Sequence, residues 1–203
     1  MVGATTVRNL IDIWFDFVDP ASVLLLLEIQ AAREEGSSWA RESQIRWRPY
    51  EVRPPPTPLV GIDDDAVAPL WEAARSEAVD TGVELAPPTL VPWTRKAHEL
   101  VAHAAAQDTS STDALRLTIA RAYALEGRDI GRVDVLVEIA LEHGLDRTET
   151  KAVLDVDRYE ADVAAAAAEA AKAHVTRTPT IIAGAKRLEG FHNRTALSTL
   201  LGT

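Results

Sequence analysis

The sequence of 203 residues contains no cysteine. That absence excludes disulfides, thiolate nucleophiles, cysteine-ligated zinc and any dithiol exchange within the chain. Long apolar runs are also missing. Residues 23–27 form the longest near the amino terminus, far short of the roughly 20 residues a membrane-crossing helix needs. Residues 1–10 show no charged region leading into an apolar stretch with a small-residue cleavage site, so the expected location is cytoplasmic. Basic residues are few, 21 against 31 acidic, and the formal charge is −10. Such a surface repels phosphate backbones and anionic lipid heads, so neither nucleic acid nor a membrane is an expected partner.

What is present points to a globular chain, with 47% hydrophobic and 26% charged residues. Its length suits one domain, or one domain carrying a large insertion. Residues 7–18 run apolar and are rich in β-branched and aromatic side chains, the composition of a buried strand, and stop at Asp19-Pro20. Helix formers follow from Pro20 to about residue 35, with Gly36 as a stop. Ile45, Trp47, Tyr50 and Val52 make a second strand, closed by Pro54, Pro55, Pro56 and Pro58. Only helical periodicity is found over residues 63–155, in segments at 66–79, 93–106, 112–126, 133–143 and 148–154. An alanine-rich helix is expected at 157–174, then a hairpin of strands at 180–183 and 186–188, and a last helix at 195–201.

With the helical block set aside, the order is βαβ followed by αββα, a parallel unit and an antiparallel hairpin. This predicts an α/β, thioredoxin-like mixed sheet with an all-helical insertion. The division is an amino-terminal βαβ part at 1–61, the insertion at 62–155 and a carboxy-terminal αββα part at 156–203.

This skeleton, the phrases IDIWFDFVDPAS, IRWRPYEV and WTRKAHELVAHAAAQ, the stretch ARAYALEGRDIGRVDVLVEIALEHGLD, and the closing AHVTRTPTIIAGAKRLEGF resemble the DsbA-like thioredoxin superfamily. The likeness is greatest to its FrnE-like branch, with relatives of 2-hydroxychromene-2-carboxylate isomerase and kappa-class glutathione transferase. Redox-active members carry Cys-Pro-x-Cys at the start of the first helix. The matching residues here are Asp19, Pro20, Ala21 and Ser22, so the dithiol mechanism has no sulfur to run on. Isomerase and transferase relatives place a serine at the first position, whereas an ionised Asp19 would repel a bound thiolate. The resemblance also implies a cis proline at Thr178-Pro179, beside the start of the first helix.

The candidate catalytic residues are Asp19, Ser22 and Arg177. By the residues alone, Asp19 before Pro20 is a strong helix N-cap, and the cap donors and helix dipole should depress its pKa. It can also orient or deprotonate a ligand hydroxyl. Ser22 offers a hydroxyl one turn into the helix or simply bonds backward. Arg177 can pair with Asp19 or receive a carboxylate or phenolate. The candidate ligand-binding residues are Thr178, Pro179, Trp93 and His98, with Trp93 as a wall of a pocket between insertion and sheet and His98 as a general base. His98 and His103 lie five apart with no metal-ligand spacing around them, so no metal is expected.

Two readings of different class follow. One is a non-redox protein that binds a small organic ligand, aromatic or polyketide-like, as an isomerase or tailoring enzyme without a cofactor. The other is a catalytically inactive binding or scaffold subunit, as a homodimer, with Asp19 as a cap only and the cleft filled. A third reading keeps an external thiol, glutathione or mycothiol, as cosubstrate.

Overall fold

The computed structural model describes residues 10–107 and 112–201. The chain order is β1 (Leu10–Phe15), α1 (Pro20–Glu34), α2 (Ser38–Glu42), β2 (Gln44–Pro49), β3 (Val60–Gly61), α3 (Ala68–Ala78) and β4 (Leu90–Val91), followed by α4 (Arg95–Ala106), α5 (Thr112–Ala124), α6 (Val133–Glu142), α7 (Arg147–Asp155), α8 (Glu160–Lys172), β5 (Thr180–Ala183), β6 (Lys186–Glu189) and α9 (Arg194–Leu201). The main sheet runs β2-β1-β5-β6. β1 and β2 pair in parallel from Leu10↔Gln44 to Phe15↔Pro49, while β5 is antiparallel to both β1 and β6. The chain thus has the α/β thioredoxin-like architecture with a mixed sheet.

β1 is central and buried on both faces, which explains its nearly continuous apolar composition. Ile11, Ile13 and Phe15 alternate onto the side that packs with α1 and the helical block. Trp14 points the other way, into a smaller cluster with Ala170 of α8 and Val175. An alanine at 170 lets α8 approach the sheet closely enough to cover the indole. Helix α1 forms because Asp19 caps it, Pro20 opens it and Leu24 to Leu27 continue it. It ends where Gly36 turns left-handed at φ +80, with the Gly36 and Ser37 amides closing onto Arg33 and Ala32 carbonyls at 3.1 and 2.9 Å.

The first two strands end short of the sequence expectation, and one residue causes both differences. The apolar run predicts strand through Val18, but β1 ends at Phe15; residues 7–9 of that run lie outside the described residues. The sequence predicts a second strand through Val52, but β2 ends at Pro49. The Asp16 carboxylate accepts the Phe17 and Val52 amides, each at 2.7 Å, and so replaces the ladder bonds that would have extended both strands. The stretch read as wholly helical also contains β4, which pairs with β3 through Val60↔Val91 and Gly61↔Leu90. Two residues are too few to show a period, so the sequence gives no strand signal there.

Candidate functional site

The turn from β1 into α1 places two carboxylates close together. Asp19 caps α1, accepting the Ser22 amide at 3.2 Å and the Ser22 hydroxyl at 2.6 Å. Asp16, fully buried, accepts its two backbone amides and lies 3.3 Å from His98 Nε2. The His98 ring is itself packed against Phe15 and Phe17, with centroids at 5.3 and 4.8 Å.

Asp19 is the chemically unusual group. Burial is the largest influence on it and pushes its pKa up to about 6, and the charge of Asp16 adds to the rise. Hydrogen bonds from Ser22 and Thr178 pull the other way and do not win. This corrects the expectation of a depressed pKa. An exposed N-cap would obey the dipole argument, but a side chain only 9% exposed loses more from desolvation than one capping amide and two hydroxyls restore.

Asp19 opens onto a cavity of about 330 Å³. Most of its wall is apolar, from Val18, Val52, Val67, Leu70, Trp71 and Val91, and its polar members include Arg53, Arg177 and Thr178. Arg177 is exposed at the rim and makes no ion pair with any described carboxylate. Arg53 Nε and Trp71 Nε1 are buried N–H donors without a partner among the described residues. Two residues of this wall thus carry a buried N–H with no described partner, beside one carboxyl raised toward neutrality.

The structure brings Asp19, Arg177 and Thr178 to one wall. Pro179 lies behind Thr178, its peptide bond with Thr178 is cis, and its carbonyl accepts the Gly190 amide at 2.8 Å. Ser22 is 1% exposed and stands behind Asp19 with its hydroxyl spent on the carboxylate. It orients that carboxylate from inside the protein. His98 does not reach this cavity, because the Asp16 side chain and the phenyl rings hold it on the far side of the turn. Trp93 does not reach it either. Its indole N–H donates to the Thr57 carbonyl at 2.8 Å and pins the proline-rich loop instead.

Asp16, Arg53 and Trp71 escaped the sequence reading. Asp16 carried a usable signal, one of two acids, with Asp12, inside an otherwise apolar run, since an acid among apolar residues marks a carboxylate with dedicated partners. Arg53, in the loop after β2, and Trp71, on α3, carried none, since only the folded chain brings them to the Asp19 cavity. Among the described residues no group of three or more His, Asp or Glu is arranged to hold a metal, and no helix is long and apolar enough to cross a membrane.

The sequence profile of the DSBA-like thioredoxin domain matches residues 10–202. The chain belongs to the DSBA-like thioredoxin domain family. Among curated proteins, this DSBA-like domain is 28% identical to the uncharacterized protein YwbO of Bacillus subtilis over 159 residues, 76% of this chain and 78% of that one. Among solved structures it resembles a probable DsbA oxidoreductase from Streptomyces coelicolor with a TM-score of 0.77 at 20% identity, covering 96% and 91% of the two chains. It also resembles a 2-hydroxychromene-2-carboxylate isomerase with a TM-score of 0.67 at 18% identity, covering 89% and 88%. At such identities the structural likeness speaks for the fold. Within that fold, this DSBA-like domain has Asp19 and Ser22 at the head of α1 and no sulfur nucleophile anywhere in its sequence.

Proposed function

We propose that this chain binds a small organic acid or phenol in the Asp19 cavity and acts on it by proton transfer, as a non-redox isomerase or tailoring enzyme. The observation that carries the reading is the Asp19 carboxyl, buried at a ligand-sized cavity and pushed up to about 6. A group with a pKa near the working pH is best placed to take a proton and give it back. An isomerisation conserves atoms and electrons, so it needs only such a group, accepting a proton at one ligand atom and returning it at another.

The remaining wall fits the same task. Arg177, with no described carboxylate to satisfy, receives the ligand's negative charge. Arg53 and Trp71 supply N–H donors, and the backbone N–H and C=O of Thr178 make no hydrogen bond with described residues. The apolar remainder excludes water and holds the ligand's carbon frame. A scaffold role, with Asp19 as a cap alone, would call for a filled cleft, and the open volume of about 330 Å³ speaks against it. No external thiol is part of this reading.

The test is mass spectrometry of small molecules released from purified wild type and from Asp19→Ala. The expected result is an acid or phenol retained by wild type and lost or depleted in the variant. Equal retention by both would place the ligand elsewhere.

A further inference from the structure

A second cavity, of about 370 Å³, lies beside the outer strand β2 and between α4, α5 and α8. Its size falls within the range of ligand-holding clefts, about 300–1,000 Å³. Val101, Ala102 and Ala105 of α4 face Val163 and Ala166 of α8 across it, and Phe15, Trp47 and Arg116 form the inner wall. Small side chains on both helices leave a slot, and the slot ends at a buried cation.

Arg116 is what a packed core does not explain. Its side chain is only 8% exposed, and its guanidinium lies over Trp47 and Phe15, 5.5 and 5.9 Å from the ring centroids. One terminal nitrogen donates to Asp113. That carboxylate is half-exposed and shared with Arg33 at 2.9 Å, so two cations divide one anion. Arg116 Nε is buried and has no hydrogen-bond partner among the described residues. Burying a charged donor without full compensation is costly, and desolvation accordingly works against the Arg116 charge. The carboxylates nearer the mouth do not reach it. Asp162 is exposed, and Glu169 is engaged by Arg48 at 3.1 Å.

From this arrangement we infer that the β2–α4–α8 cavity is a second binding site, for a flat apolar monocarboxylate whose carboxylate meets Arg116 and whose body fills the alanine-lined slot. The site is separate from the Asp19 cavity. The Asp16–His98 pair and the Phe15 ring stand between them, and the inference does not depend on the proton-transfer reading.

The experiment is a titration of the isotope-labelled chain with 1-naphthoate, followed by amide and indole NMR shifts, with uncharged 1-naphthamide as control. Naphthoate should move the Trp47 indole and the Ala102 and Ala166 amides, and naphthamide should bind at least about tenfold more weakly. Arg116→Gln should weaken naphthoate to a similar degree. Ala102→Leu, which fills the slot without touching the cation, should abolish binding there, and Arg177→Ala should leave it intact. The inference is overturned if naphthoate leaves those signals unmoved, if naphthamide binds equally well, or if Ala102→Leu binds as wild type does. The last two outcomes remain decisive should Arg116→Gln fail to fold.

Discussion

The Ser22 hydroxyl donates to Asp19 Oδ2 at 2.6 Å while the Ser22 amide donates to the same oxygen at 3.2 Å. One residue thus supplies two of the interactions that hold the Asp19 carboxylate in its ionised form, and both are out of reach of solvent. Ser22→Ala removes the hydroxyl and keeps the amide. The Asp19 pKa should then rise above about 6, because burial is opposed by one donor fewer. A carbon-13 NMR titration of the aspartate carboxyls in wild type and variant reads the shift directly.

Asp19 also links stability to pH. In the unfolded chain its pKa is near the free value of about 3.9, and in the folded chain it is about 6. The folded state therefore binds the proton more tightly. The resulting stabilisation is complete below about pH 4 and is lost as pH rises through about 6, a change of roughly 3 kcal/mol at about 1.36 kcal/mol per pKa unit. Asp19→Asn does not titrate. Chemical denaturation between pH 4 and 8 should show the variant gaining on wild type across that window and holding a constant difference above it. A difference independent of pH would contradict the shifted carboxyl.

Asp16 acts on both fold and site. Asp16→Asn keeps one acceptor oxygen but turns an amide group toward one of the Phe17 and Val52 N–H groups. The expected loss is about 1.5–3 kcal/mol in unfolding free energy, the range for hydrogen bonds to a charged group. The same change removes a negative charge that raises the Asp19 pKa, so the Asp19 titration should move down. A purely structural role for Asp16 would give the first effect without the second.

Arg177 is exposed and has no ion-pair partner among the described residues, so Arg177→Ala should change stability by no more than about 0.5 kcal/mol. Its effect should appear in the ligand. Under the proposed function, the amount of acid or phenol retained through purification falls in this variant while the thermal unfolding curve stays put. Unchanged retention would remove Arg177 from the site.

The legible part of this protein was its order of elements. Proline and glycine punctuation located the start of α1, the end of α1 and the loop after β2, and the change of period after the alanine-rich helix identified the hairpin. From that order the mixed sheet followed. Less legible were features in which a side chain substitutes for backbone. The strand through Val18 was a sound reading of Phe17 and Val18 as apolar, and it failed because Asp16 accepts the amides that a neighbouring strand would have taken. The Asp19 pKa was misread for a related reason. Capping is visible in Asp-Pro, whereas the burial that outweighs it comes from elements distant in sequence, including Trp71 and Thr178. His98 lies on the expected helix, but Trp93, expected to open it, lies two residues before α4; side-chain direction separates both from Asp19, and helical spacing does not report which cavity a residue faces.

The account rests on a buried aspartate that changes charge near neutrality at the mouth of an open cavity. The most direct measurement is the carbon-13 titration of the Asp19 carboxyl in the wild-type chain, assigned by its absence in Asp19→Asn. A midpoint near 6 is the predicted result. A midpoint at or below about 4, the range of an ordinary solvated or capping aspartate, would contradict the account and leave Asp19 a helix cap and nothing more.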